Sequence, residues 1–338
     1  MANKRIFYAV QQAGISKCGE NSFTSIHGLQ SIGINTTFNL EQVFEIGQIS
    51  IYENIENIPD IQITLEKVLD GYPPIYLLAT KGASSATLSG RSNIKATVGL
   101  SIYSDVQESA SGTPLAQCTM SGVYVSDINY NFNVQGYSTE SVTLVGNNKV
   151  WNNAFTPSNF NNTDEPLAIA GSGGVNRRED VLFGSAGCIL PVDIPGISSS
   201  GTNELENTGD MYKAHIQGIR VQCNLGREQL FELGRKGPYH RYVNFPVEVS
   251  TEIEVLSTDG DKVTALEDAS NLTDREIIIK TREGLKLNLG KKNKLSSVTY
   301  GGANAGQQGG NATVTYTYTT FNDLKVTHPQ DPTTSLRE

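Results

Sequence analysis

Glu41-Gln42-Val43-Phe44-Glu45-Ile46-Gly47 and Glu228-Gln229-Leu230-Phe231-Glu232-Leu233-Gly234 are two versions of one heptapeptide, offset in numbering by 187 (234 − 47 = 187). The match runs outward without a gap, Gln30 to Pro59 against Gln217 to Pro246. Ile32 aligns with Ile219, Tyr52 with Tyr239, Asn57 with Asn244 and Pro59 with Pro246, and ten of the thirty positions are identical. Ordinary residue usage gives about one match in sixteen. A passage written twice predicts a fold built twice, as in part of a ring or array.

Around the matched segment, apolar and polar residues alternate as in half-buried strands. Ile32 and Ile34 in one copy answer Ile219 and Val221 in the other. After the matched prolines, Ile61–Glu66 and Val247–Val255 are predicted strands, each leading to an Asp-Gly turn signal, Asp70-Gly71 and Asp259-Gly260. Tyr72–Thr80 and Asp261–Asp268 then suit one or two helical turns, the first with proline at its start. Further strands are expected at Ile94–Tyr103, Val123–Val134, Glu276–Leu289 and Ala312–Thr320. Thr313–Thr319 alternates without a break, so one side should face protein and the other water or a partner. The fold class expected is mainly β: two tandem β-sandwich or barrel domains, each with a short flanking α-helix. The first spans residues 1–151 and the second 179–328, with an Asn/Pro/Gly-rich connector at 152–178 and a tail at 329–338.

The chain has 338 residues, enough for one large core or two modest ones. Charged residues make up 18%, and the net charge is −9 with a pI of about 5.1. Outer-surface binding to nucleic acid, which needs clustered Lys and Arg, is not expected. An acidic protein can still surround DNA where repulsion is useful. No apolar run approaches the roughly 20 residues that span a bilayer, and the start Met1–Tyr8 is too short an apolar lead for a secretory signal. The chain is therefore expected to be made and kept in a cytoplasm.

The search for chemistry returns little. Cys18, Cys118, Cys188 and Cys223 are far apart and lack metal-ligand spacing, so buried free thiols are expected, with a crosslink between subunits as the alternative. His27, His215, His240 and His328 are equally scattered. Gly171-Ser172-Gly173-Gly174 lacks the Gly-Lys-Ser/Thr ending of a phosphate loop, and no GxSxG or HExxH motif occurs. Glu45 with Glu53, or Glu252 with Glu254, could be paired acids, but alternation puts Glu252 and Glu254 on one strand face, where solvation is the ordinary reading. The sequons at Asn35, Asn161, Asn271 and Asn311 carry no meaning without secretion. No enzyme activity, cofactor or metal is expected.

Ile61–Leu78, from Ile61-Gln62-Ile63-Thr64 to Ile75-Tyr76-Leu77-Leu78, resembles the strand, turn and short helix of bacteriophage tail tube proteins, and Gly136–Trp151 is similar to a segment of the same proteins. The resemblance covers most of the first copy directly and the second through the repeat. It implies a β-sandwich or barrel assembled into stacked rings whose lumen conducts viral DNA without binding it specifically, in a virion tail built in the host cytoplasm with other tail proteins. A single tube domain is nearer half this length, which the duplication accounts for. If rings contain six domains, three chains close one. Candidate ring-stacking contacts are the Cys18–Ser25 region, the Gly82–Gly90 loop, the Ser104–Pro114 loop and the Gly301–Gly310 arm. Two other readings stay open: a baseplate or tube-initiating ring, and a carbohydrate-binding β-sandwich using the lone Trp151.

Overall fold

The computed structural model describes residues 5–20, 22–104, 110, 113–152, 160–161, 174–184, 187–198, 205–208, 211–258, 260–268, 272–302 and 310–337. In chain order the first part holds β1 (Gln11–Lys17), β2 (Phe23–Ser25), β3 (Leu29–Thr37), β4 (Leu40–Phe44), β5 (Ile51–Glu56), β6 (Asp60–Val68), α1 (Ile75–Ala79), α2 (Leu88–Ser92), β7 (Ala96–Ile102), β8 (Ala116–Asn133), β9 (Thr139–Gly146) and β10 (Val150–Asn152). Three two-residue strands follow, β11 (Phe160–Asn161), β12 (Asn207–Thr208) and β13 (Met211–Tyr212). Then come β14 (Ile216–Asn224), β15 (Arg227–Leu230), β16 (His240–Val243), β17 (Glu248–Leu256), α3 (Ala265–Asp268), β18 (Ile278–Lys280), β19 (Lys286–Asn288), β20 (Lys294–Gly301), β21 (Thr313–Phe321) and β22 (Lys325–Thr327).

Eight strands form one antiparallel sheet in the order β3-β6-β9-β8-β14-β17-β21-β20. Its inner face is built by alternation: Ile61, Ile63 and Leu65 of β6 and Val249, Thr251 and Ile253 of β17 are buried, as are Val314, Tyr316 and Tyr318 of β21. A second layer closes the core. The first part of β8, up to Val123, leaves the main sheet and pairs with β7 on one side and, over residues 117–119, with β10 on the other. The switch falls at Gly122, whose φ of +69° suits the extra residue between Thr97↔Ser121 and Ala96↔Val123. In the second part the small sheet β18-β19-β22 takes the corresponding place. The architecture is mainly β, and the described strands close no barrel within one chain.

Strand registers recur between the two parts. In the hairpins, Leu40↔Glu56, Gln42↔Asn54 and Val43↔Glu53 return as Arg227↔Val243, Gln229↔Arg241 and Leu230↔His240, each pair shifted by the offset of the heptapeptides. The irregularity between Leu29 and Ser31 of β3 returns between Ile216 and Gly218 of β14 at the same offset. That between Val125 and Asp127 of β8 returns between Leu295 and Ser297 of β20, where the offset has fallen to 170 (295 − 125 = 170). Even the short pairing Trp151↔Cys118 has its counterpart in Lys325↔Asn288. Offsets change as connecting loops shorten, while pairing stays fixed, because slipping one residue would turn every core side chain outward.

Two strand expectations change, and Cys18, expected to be a buried thiol, is exposed. Glu276–Leu289 is two strands, β18 and β19, since Gly284 at φ +93° turns the chain and the Thr281 N–H bonds back to the Leu285 carbonyl. Val123–Val134 begins earlier, at Ala116, because β8 serves both layers. Of the predicted connector, residues 153–159 and 162–173 lie outside the described residues, but Asn176 is buried and bonded to Leu69, Ser138 and Glu283.

Helix α1 starts behind Pro74, which has no side chain to cap it. Strand β9 supplies the cap instead: the Ile75 and Tyr76 N–H groups and the Tyr130 hydroxyl all donate to the fully buried Glu140 carboxylate. Burial pushes the Glu140 carboxyl up despite these donors. Replacing Glu140 by alanine leaves two buried N–H groups and a hydroxyl without their acceptor. We expect Glu140→Ala to lower the unfolding free energy by about 2–4 kcal/mol in urea titration; a loss under about 1 kcal/mol would mean the helix start does not depend on it.

Candidate assembly surface

The main sheet turns a polar face away from the core. On it lie Ser31, Gly33 and Asn35 of β3, Gln62, Thr64 and Glu66 of β6, and Ser141 and Thr143 of β9, directly opposite one another across the strands. The row continues through Asp127, Asn129 and Asn131 of β8, Arg220, Gln222 and Asn224 of β14, Ser250, Glu252 and Glu254 of β17, and Thr315, Thr317 and Thr319 of β21. Hydroxyls, amides and carboxylates dominate. Arg220 sits opposite Glu252 with 3.8 Å between the charged groups, both well exposed. Glu252 and Glu254 thus share the face that alternation predicts.

The repeated heptapeptides form the tips of two hairpins, β4–β5 and β15–β16. Both tips turn at a positive-φ glycine, Gly47 at +103° and Gly234 at +82°. Both expose large apolar side chains: Phe44, Ile46 and Ile49 on the first, Phe231 and Leu233 on the second. Their surroundings differ. Every residue of β5 is exposed, whereas Arg241 and Val243 of β16 are buried.

The base of the second hairpin is buried where it rests on the first part, at the joint where β14 pairs with β8 from Gly218↔Asn133 to Asn224↔Asp127. Arg241 donates to Asp60 Oδ1 at 2.6 Å, to Asn147 Oδ1 and to the Gly146 carbonyl, and Gln229 donates to the same Asp60 oxygen at 2.9 Å. Arg227 donates from Nε to the Val125 carbonyl at 2.7 Å and lies over the Tyr124 ring, 5.1 Å from its centroid. Burial pulls the Arg227 guanidinium down to about 10, still charged at neutral pH. Burial raises the Asp60 carboxyl, but hydrogen bonds from Arg241, Asn39 and Gln229 outweigh it and hold the group below its ordinary value. An open cleft of about 580 Å³ separates the hairpins, lined by Asn39, Glu56, Asp60, Gln229, Phe231 and Lys236.

Among the described residues the eight-strand sheet ends at β3, which pairs with β6, and at β20, which pairs with β21. Their core-facing side chains are half-covered: Ile32, Ile34, Leu295 and Val298 pack on the core yet stay partly exposed.

The residues singled out from sequence are dispersed. Cys18 is an exposed free thiol at the end of β1, and Ser25 is buried and accepts from Gln12. Cys118, Cys188 and Cys223 are buried free thiols. Gly82 donates to Thr333 Oγ1 at 2.8 Å, and Gly90 sits in α2 against Ser85, beside the buried Arg91–Asp331 ion pair. Both therefore pack near the chain's own C-terminal stretch. Ser104 and Pro114 flank β7 and β8, with residues 105–109 and 111–112 between them outside the described set; Gly301 ends β20, and residues 303–309 before Gly310 are likewise outside it. Trp151 is half-exposed on β10. Among the described residues no three His, Cys, Asp or Glu side chains cluster as metal ligands, and no helix is long and apolar enough to cross a membrane. The sequence reading uses the heptapeptides as the mark of a repeat and does not single them out as exposed hairpin tips. The signal for the tips is apolar residues repeated at the same positions beside a repeated glycine.

No family profile and no curated protein matches the chain. Among solved structures it is similar to a chain of the six-fold symmetrised anti-feeding prophage baseplate, at 12% identity and a TM-score of 0.34 over 45% of this chain and 98% of that one. It is also similar to a chain of the anti-feeding prophage cap that terminates the tube, at 12% identity and a TM-score of 0.34 over 46% and 95%.

The Arg241–Asp60 contact yields a test. A carboxyl held below its unfolded value stabilises the fold above that value, and the contribution is lost as pH falls through the lowered one. Asp60 is partly exposed, so we expect Arg241→Ala to cost about 1–2 kcal/mol at pH 7. The difference from the unsubstituted chain should shrink below about pH 4, read from urea midpoints across pH.

Proposed function

We propose that this chain is a structural virion protein of the tail-tube type, carrying two tandem tube-like domains, and that three chains close a ring. The β8–β14 joint carries the reading. Within the chain, the fourth strand of one four-strand set pairs with the first strand of the next. The same pairing applied outward would join β20 to β3 of another copy. Three chains of eight main-sheet strands each then leave no unpaired edge, which removes the liability of an open sheet.

In such a ring the polar face is the candidate lumen. Glu66, Asp127, Glu252 and Glu254 stand there against Arg220 and Lys294, so phosphates passing through meet net repulsion and hydroxyl or amide groups in place of a retarding lysine lattice. The hairpin tips supply a reason for stacking: their fully exposed isoleucine and leucine side chains gain about 25 cal/mol per Å² if a neighbouring ring covers them. DNA conduction during ejection, assembly with other tail proteins and the absence of a catalytic role all belong to this reading.

Negative-stain electron microscopy of the concentrated protein tests it. We expect hollow tubes or stacked rings whose averages show threefold symmetry and a mass of three chains per ring. Persistent monomers, or rings of six chains, would overturn the duplicated-domain ring.

A further inference from the structure

We propose that β20 of one chain pairs with β3 of the next copy in the register that β8 and β14 hold internally, and that this joint is sealed by different chemistry from the internal one. The inference rests on the ring proposed above and specifies its chain-to-chain interface.

The offsets fix the register. Strand β14 maps to β3 through the offset that relates Val221 to Ile34, and β8 maps to β20 through the one that relates Tyr130 to Tyr300. Val221↔Tyr130 becomes Ile34↔Tyr300, Gln222↔Asn129 becomes Asn35↔Thr299, and Asn224↔Asp127 becomes Thr37↔Ser297. The burial of the internal set shows what the edges lack. Val221 and Tyr130 are 1% and 0% exposed, whereas Ile34 is half-buried and Tyr300 is 52% exposed. The edge strands carry core residues for which the core has run out, and the next copy would continue it.

The clamp residues do not recur. At the positions of Arg227, Arg241 and His240 the first hairpin carries Leu40, Asn54 and Glu53. The surface they would meet has changed with them: Tyr124 is answered by Lys294, and Val125 by Leu295. Where the His240 ring stands 5.2 Å from the Tyr124 ring, Glu53 of the next copy would approach Lys294, which now lies 3.7 Å from Asp274. Where Arg227 bonds to the Val125 carbonyl, Leu40 of the next copy would cover Leu295. An arginine clamp thus gives way to an apolar contact with one acid–base pair, and the first hairpin acquires the support that its fully exposed β5 lacks.

Disulfide trapping tests the register in the full chain with Cys18→Ser. Directly opposed residues in an antiparallel ladder have Cα atoms about 4.5–5.5 Å apart, within disulfide reach, while a residue one strand farther is about 10 Å away. On mild oxidation, Asn35→Cys with Thr299→Cys, and independently Thr37→Cys with Ser297→Cys, should each run as a reducible covalent trimer. Asn35→Cys with Thr315→Cys, one strand farther, should stay monomeric on the same gel. Rings seen by negative stain with neither opposed pair linked, or with all three pairs linked equally, would overturn the register while the ring stands. Absence of rings from the unsubstituted chain together with absence of links would remove both.

Discussion

The antiparallel joint between β8 and β14 is the contact on which the rest of the molecule depends. It turns two four-strand sets into one sheet and one core, since Tyr130, Phe132 and Ile128 on one side and Val221, Ile219 and Cys223 on the other are all nearly inaccessible. Without it each set would present two raw edges and a core open at the seam. With it, among the described strands, the main sheet keeps one edge of each kind, β3 and β20. Head-to-tail pairing of unlike edges makes a heterologous contact, which closes into a ring when the rotation permits and otherwise runs on as an open array.

The two parts with matching strand registers differ where their surroundings differ. Glu140 and Lys67 are buried charges in the first copy, and the aligned positions of β21 and β17 hold Val314 and Val255. The first copy uses them locally: Glu140 caps α1, and Lys67 donates to the His27 carbonyl and to Asp70, each at 2.8 Å. In the second part Ala265, Leu266 and Glu267 of α3 are exposed, and the ends of an exposed helix can bond to water in place of a side-chain cap. The hairpins diverge in the opposite sense, because the one carrying Arg227 and Arg241 finds a neighbour within the chain and the one carrying Leu40 and Asn54 does not.

Much of this organisation is legible in the amino-acid order, and the limits have physical causes. Hairpin identity survives at Glu41–Gly47 and Glu228–Gly234, so that segment announces the repeat. Farther on, the offset falls as loops shorten, and what persists is strand register, set by inward alternation in which Ile63 of one copy is answered by Thr251 of the other. Alternation also places Thr313–Thr319 on a two-sided strand. The Asp60–Arg241 contact spans 181 residues and leaves no local trace. Gly- and Ser-rich loops draw attention as contact candidates, while the apolar hairpin tips go unmarked, because exposure is a property of three-dimensional surroundings and not of residue type.

The polar face follows from the same alternation. A strand whose inner positions are Val314, Tyr316 and Tyr318 must present Thr315, Thr317 and Thr319 on the other side, and the neighbouring strands offer Ser, Asn, Gln and Glu at the matching places. Apolar residues there would invite a second sheet to pack on it, and a lysine array would hold any passing polyanion through counterion release. Hydroxyls and amides hydrogen-bond to water as readily as to a solute, and the scattered carboxylates add weak repulsion screened within about 8–10 Å at physiological salt. A surface of this kind discourages both packing and adhesion, which is what the proposed lumen would require of its wall.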